Sequence, residues 1–171
     1  TGHGGAVLAD DPERAAFLAD AVRYDERDRD AVRYAYRISD LGAALGEVQL
    51  SRLAEFVAAR RARAAAFRTR LAGGPWRLPP VHPSHVYHRF VLRLDRPAAG
   101  PLIAFAAARG VEIKRPVYLP MHRVMGLPAA RFPGAEDAWA RNVSLPVYPS
   151  LGEEEQERVC GAVWAWAGRR G

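Results

Sequence analysis

Few residues of this chain could do covalent chemistry or hold a metal. There is one lysine, Lys114, one cysteine, Cys160, and five histidines, His3, His82, His85, His88 and His122. His85 and His88 stand three apart, which would suit a metal pair on a helix. The run around them reads as a strand, however, where such residues point to opposite faces, so no metal site is assigned. Cys160 lies among Val159, Ala162 and Val163 in a predicted helix, with no neighbour that would stabilise a thiolate; it reads as a buried structural thiol. Arg115, just before Pro116, can either bind a phosphate or pair with Glu112 or Asp137.

The elements that must position these groups fit one domain. The chain has 171 residues, 49% of them hydrophobic, enough for one real core. No apolar run approaches the roughly 20 residues of a membrane helix, and the start lacks a signal-peptide pattern, so a soluble, cytoplasmic protein is expected. The net charge of +6 comes almost wholly from arginine. Arg23, Arg27 and Arg29 alternate with Asp25, Glu26, Asp28 and Asp30, while Arg60, Arg61, Arg63, Arg68 and Arg70 spread around a helix. A solvated helix surface explains them better than a phosphate-tracking patch, and no zinc spacing, helix-turn-helix or aromatic RNA-binding motif is present; no nucleic-acid partner is expected.

Along the chain, Gly4 and Gly5 lead into Ala6-Val7-Leu8-Ala9, a short strand with no evident partner, and Asp11 caps a helix with Pro12 at its first position. Ser39 or Asp40 caps a helix of about 30 residues whose apolar positions, from Leu41 and Leu45 to Phe67 and Leu71, keep a 3.6-residue beat. At that length it either bends or spans two lobes, and Gly73-Gly74-Pro75 ends it. An irregular connector, Pro79 to Pro83, precedes a strand from Val86 to Leu94 that places His88 on the core face with Phe90, Leu92 and Leu94. Pro101 to Arg109 reads as a helix stopped by Gly110, and Val111 to Val117 as a strand. Glu136 to Asn142 and Glu153 to Ala167 read as helices, the last with acids in its first turn and Arg169-Arg170 after it. The class is α+β, helices packed with a small sheet.

Several of these segments, in this order, resemble the DegT/DnrJ/EryC1/StrS family of sugar aminotransferases, which depend on pyridoxal phosphate (PLP). Gly2-His3-Gly4-Gly5 is similar to the family's Gly-Glu-Gly-Gly turn, with His3 in place of the common glutamate. Tyr34 to Gly46 resembles its Tyr-Asn-Tyr-Arg-Met-Ser-x-Leu-x-Ala-Ala-x-Gly segment, with Ala35 in place of asparagine. Val86 to Phe90 resembles its strand ending in His-x-Phe, and Arg115 to His122 its Arg-Pro-x-x-x-Pro-x-His segment. Ser144 to Val159 is similar to its Ser-Leu-Pro-x-Tyr-Pro-x-Leu-x-x-Glu-Glu-Gln-x-x-Val ending.

The resemblance implies the small C-terminal lobe of a fold-type I aminotransferase, with a long inter-lobe helix and a remnant strand and helix of the large lobe. The expected division is residues 1–37 for that remnant and a cross-subunit loop, 38–74 for the long helix, and 75–171 for the small lobe. It implies a homodimer that moves an amino group from glutamate or glutamine to a keto group of a nucleotide-linked sugar. Tyr36 and Arg37 are then cofactor contacts, the guanidinium suiting a phosphate; the alternative for Arg37 is a salt bridge to Asp40 or Glu47. His88, Arg115 and His122 are implied substrate contacts, the alternative for His88 being a core-edge histidine bonded to backbone.

No catalytic residue is expected within the chain. The family's imine lysine belongs to a Ser-Phe-x-x-x-Lys segment expected ahead of Thr1, and Lys114, beside Arg115-Pro116, shows neither the desolvated pocket nor the phosphate site such a lysine needs. The chain therefore reads as part of a longer enzyme, inactive and without PLP when alone. The competing expectation is a naturally short, non-catalytic binding or dimerisation module.

Overall fold

Asp11 opens the first element as its position requires. Its carboxylate accepts the backbone N–H of Glu13 at 2.8 Å and of Arg14 at 3.3 Å, satisfying two donors that a helix start leaves free. Helix α1 (Pro12–Ala21) follows, with proline where its missing N–H costs nothing. A computed structural model of the chain describes residues 5–25 and 32–168. The Gly2-His3-Gly4 part of the glycine turn, the charges from Glu26 to Asp30 and the Arg169-Arg170 pair lie outside the described residues. The chain divides into two compact units, residues 1–53 and 54–171.

In the first unit, Arg33 reaches the Asp20 carboxylate at 3.0 Å, and the Tyr34 amide donates to the Ala21 carbonyl at 2.9 Å. Helix α2 (Asp40–Ser51) is capped by the Ser39 hydroxyl, which accepts the Gly42 N–H at 3.2 Å. The strand expected at Ala6 to Ala9 does not form. Val7 and Leu8 are exposed, and among the described residues no strand supplies the hydrogen-bond ladder a strand consists of. Likewise Leu41, Leu45 and Val48 carry the predicted beat on α2 without being buried.

The predicted 30-residue helix is interrupted at Arg52, where helix α3 (Leu53–Arg70) takes over. Just before the break, the Ser51 hydroxyl donates to the Val48 carbonyl at 2.8 Å, a side-chain bond that competes with the backbone ladder. In the second unit the exposed and half-buried arginines of α3 also make hydrogen bonds and an ion pair. Arg61 donates to the Pro83 carbonyl at 2.8 Å and the His85 carbonyl at 3.1 Å, Arg68 donates to the Pro79 carbonyl, and Arg70 pairs with Glu157 at 3.2 Å. The guanidiniums thereby satisfy carbonyls of a proline-rich connector that cannot build a ladder of its own.

That connector runs between β1 (Trp76–Arg77) and β2 (Phe90–Leu94), which pair antiparallel with Trp76 opposite Leu94. Gly74 lets the chain turn tightly there, because a Cβ at that position would lie 2.0 Å from the Trp76 ring. Phe90, Leu92 and Leu94 face the core as predicted, but the strand starts four residues late. Tyr87 takes a left-handed φ of 48°, its N–H donates to His85 Nδ1 at 2.8 Å, and its own ring is the buried one. This turn shifts the alternation, so His88 is exposed rather than on the core face.

Helix α4 (Ala99–Ala107) ends at Gly110, whose φ of 69° suits glycine as predicted. The strand expected from Val111 to Val117 keeps its alternation, with Val111 and Ile113 buried, yet only Lys114 pairs, exchanging backbone hydrogen bonds with Ser144 at 3.2 and 2.7 Å. Pro116 has no N–H with which to extend the ladder. The short helix α5 (Met121–Val124), a 3-10 turn (Ala129–Arg131) and helix α6 (Pro133–Arg141) follow. Strand β3 (Asn142–Leu145), hidden in the sequence behind the end of α6, pairs antiparallel with β2, Leu92 opposite Val143, so the sheet order is β1-β2-β3. Helix α7 (Glu153–Gly168) buries Gln156, Val159, Cys160 and Val163.

The core gathers Phe67 of α3 and Leu71 just after that helix, the inward residues of β2 and β3, Leu102 of α4 and Val163 of α7. Phe67 is 0% exposed and its ring lies 5.2 Å from that of Phe90. Truncation of Phe67 to alanine is expected to cost about 3–5 kcal/mol, as large core deletions do, read as a fall in the urea midpoint followed by tryptophan fluorescence. Burial also pushes the Cys160 thiol up to about 11. The folded chain should therefore resist iodoacetamide at pH 8 and become labelled only after denaturation.

Candidate functional site

The loop from Arg115 to Pro120 cannot form regular structure, since two of its six residues are prolines, and it is held from the side instead. The Trp139 indole N–H of α6 donates to the Tyr118 carbonyl at 3.2 Å. The loop runs into α5, which places His122 and Arg123 against Glu136, also on α6. His122 Nε2 lies 2.7 Å from Glu136 Oε1, Arg123 Nε donates to the same oxygen at 2.7 Å, and Arg123 Nη2 to Oε2. One carboxylate thus gathers three N–H groups.

Aromatic rings complete the cluster. The His122 ring stacks on Phe132 at 4.7 Å and 17°, and is buried with only 4% of its side chain exposed. The Arg115 and Arg123 guanidiniums lie 3.8 Å and 4.3 Å from the centroid of Trp139. Between these elements opens an almost wholly apolar cavity of about 520 Å³, walled by Pro116, Met121, His122, Met125, Phe132 and Trp139 among others. Such a volume suits the body of a small organic ligand, with a few polar groups to orient it.

The electrostatics follow from the pairing. Arg123 first, and then His122, hold the Glu136 pKa down to about 2. Its hydrogen bond to Glu136 raises Arg123 above the ordinary guanidinium range, whereas burial first, and the nearby charge of Arg123 second, lower Arg115. The neighbouring carboxylate, Asp137, is held below its usual range by Arg141 and by Arg93 of β2. That leaves Asp137 committed elsewhere, and Glu112 is taken by Lys114 at 2.7 Å. Among the described residues Arg115 meets neither of its two anticipated carboxylates and rests on Trp139 instead.

The other residues singled out in the sequence have surroundings of their own. His88 is exposed and does not line the cavity. Tyr36 and Arg37 belong to the first unit. Both are exposed, Tyr36 stacks on Tyr34 at 5.0 Å, and Arg37 forms no salt bridge to Asp40 or Glu47 among the described residues. Lys114 is 70% exposed at its side chain with its ammonium on Glu112, so the described residues do not fit an imine site for PLP by themselves. Glu136, Phe132 and Trp139 escaped the sequence reading. Nothing local marks them, and only the packing of α6 against the loop gives them partners.

This fold is found within solved aminotransferases. The chain matches aminotransferase TlmJ from Streptoalloteichus hindustanus with a TM-score of 0.84 at 27% identity, over 95% of this chain and 47% of that one. It matches DesV of Streptomyces venezuelae with a TM-score of 0.83 at 29% identity, over 96% and 47%. The small antiparallel sheet and its helices are the α+β small lobe of a fold-type I aminotransferase. In sequence, the chain is 32% identical to a dTDP-3-amino-3,4,6-trideoxy-alpha-D-glucose transaminase of Streptomyces venezuelae, over 98% of this chain and 47% of the relative. A 29% identity to the spore coat polysaccharide biosynthesis protein SpsC of Bacillus subtilis covers 95% and 49%. The sequence model of the DegT/DnrJ/EryC1/StrS aminotransferase family matches residues 1–164, and the chain belongs to that family. It spans about half the length of the curated relatives it matches.

The Glu136 pairing sets a pH dependence whose sign is fixed. A carboxyl group lowered from 4.5 to about 2 on folding adds stability that is fully present above pH 4.5 and lost as the pH falls through about 2. The difference in urea midpoint between the native chain and Glu136→Gln should therefore be constant from pH 7 to about 5 and shrink between pH 4.5 and 2.

Proposed function

We propose that this chain is the C-terminal part of a PLP-dependent aminotransferase that moves an amino group from glutamate or glutamine to a keto group of a nucleotide-linked sugar. The observation that carries the reading is the family match across residues 1–164, together with a relative named as a transaminase of a dTDP-linked sugar. In this reading residues 1–37 belong to the large lobe and a cross-subunit loop, 38–74 to the inter-lobe helix and 75–171 to the small lobe of a cytoplasmic homodimer. Tyr36 and Arg37 meet the cofactor, and their exposure in the first unit leaves them available to it. His88, Arg115 and His122 face the substrate. For Arg115 the support is physical, since a guanidinium without its anticipated carboxylates is free to take a phosphate oxygen.

The 171 residues alone do not transaminate in this reading, because Lys114 is exposed and paired with Glu112. The second reading, a short non-catalytic module, draws on a different observation: the unit 54–171 encloses its own core. Intact mass and N-terminal sequence of the protein as expressed separate the two. A heavier species carrying a Ser-Phe-x-x-x-Lys segment and transferring the amino group of glutamate to a keto-sugar nucleotide supports the enzyme; amino transfer by a verified 171-residue chain would overturn its inactivity. In the active protein, Arg115→Gln should raise KM for the nucleotide sugar about 10- to 100-fold, the worth of one charge-assisted hydrogen bond. An unchanged KM removes Arg115 from the substrate site.

A further inference from the structure

Glu136 does more for His122 than hold it in place. An ionised carboxylate can only accept hydrogen bonds, and Glu136 Oε1 stands 2.7 Å from His122 Nε2, so the proton between them sits on the imidazole nitrogen. Arg123, chelating both oxygens of the same carboxylate, keeps it ionised and fixes its orientation. The depressed pKa of Glu136 agrees with this protonation. Phe132, stacked on the imidazole at 4.7 Å, opposes a ring flip that would exchange the two nitrogens. His122 Nδ1, by contrast, has no hydrogen-bond partner among the described residues, and the ring that carries it forms part of the cavity wall. Elsewhere in that wall the side chains are almost all apolar, Asn142 being the exception.

We infer that Glu136 is a positioning residue that locks His122 as its Nε2–H tautomer and so presents Nδ1 as a hydrogen-bond acceptor to a ligand hydroxyl or N–H in the cavity. The tautomer lock stands on the geometry alone. The choice of a nucleotide-linked sugar as the donor-bearing ligand rests on the function proposed above. Residues of this kind do not touch the reacting atoms; they decide which nitrogen of a histidine can do so.

The test is nitrogen-15 NMR of the histidine ring in the labelled chain at pH 8. The expected spectrum has His122 Nε2 protonated and Nδ1 bare. In Glu136→Ala the fixed tautomer should give way to an averaged pair, while Glu136→Asp, which keeps a carboxylate, should restore part of the lock; should the alanine variant not fold, Glu136→Gln takes its place. A protonated Nδ1 in the native chain, or a tautomer unmoved by loss of the carboxylate, overturns the inference. Titration of the longer, active protein with dTDP-glucose then separates the two levels. Binding registered at the Trp139 indole N–H with a shift of the Nδ1 signal supports the acceptor role, and binding without that shift overturns it. No binding counts against the substrate reading and leaves the tautomer result standing.

Discussion

Two adjacent carboxylates on one short helix, Glu136 and Asp137, hold the second unit's cavity to its core. Successive residues of a helix project about 100° apart, so neighbouring acids reach different partners. Asp137 binds Arg93 of the central strand and Arg141 of its own helix, and Arg141 also donates to the Asp95 carbonyl after β2. Glu136 binds the His122–Arg123 turn. Helix α6 is thus fixed to the sheet by one acid and fixes the proline-rich loop by the other. The loop has too few backbone donors to anchor itself, so the geometry of the cavity depends on these two pairs and on the Trp139 bond to the Tyr118 carbonyl.

Arginine serves this protein as a substitute for secondary structure. The connector between β1 and β2 contains prolines that cannot pair in a sheet, and guanidiniums from α3 satisfy its carbonyls. A fork with five donors can serve two carbonyls at once, which a lysine ammonium at the end of a flexible stem does less well. The same chemistry makes Arg115 distinctive: with Glu112 bound by Lys114 and Asp137 by its own pair of arginines, it rests on the Trp139 ring. Part of the positive charge on α3 thus serves the backbone of the connector as well as facing solvent.

Helix starts were legible because their signals are local. Asp11 and Ser39 accept the predicted backbone donors, Pro12 sits at its predicted position, and Gly110 takes the positive φ that stops α4. Strands were less legible, because a ladder needs a partner distant in sequence. Val111 to Val117 has the alternation of a strand but finds one pairing residue, whereas Asn142–Leu145, too short to stand out beside a helix and a proline, finds β2 and becomes a full strand. The backbone turn at Tyr87 could not be anticipated from residue type, since tyrosine disfavours φ of 48°, and it moved His88 from the expected core face to solvent.

Sequence alone determined the family, the α+β class and the core face of β2, since ordered motifs and residue periodicity survive without knowledge of contacts. It also marked Arg115 and His122 as residues with chemistry to offer. Only the tertiary structure decided what surrounds them: that Glu136 holds His122, that Trp139 rather than a carboxylate supports Arg115, and that an apolar cavity opens beside both. The reason is physical. A cap or a helix stop is settled within a few residues, whereas the partners of a buried imidazole lie 10 and 14 positions away and meet it only when α6 packs across the loop.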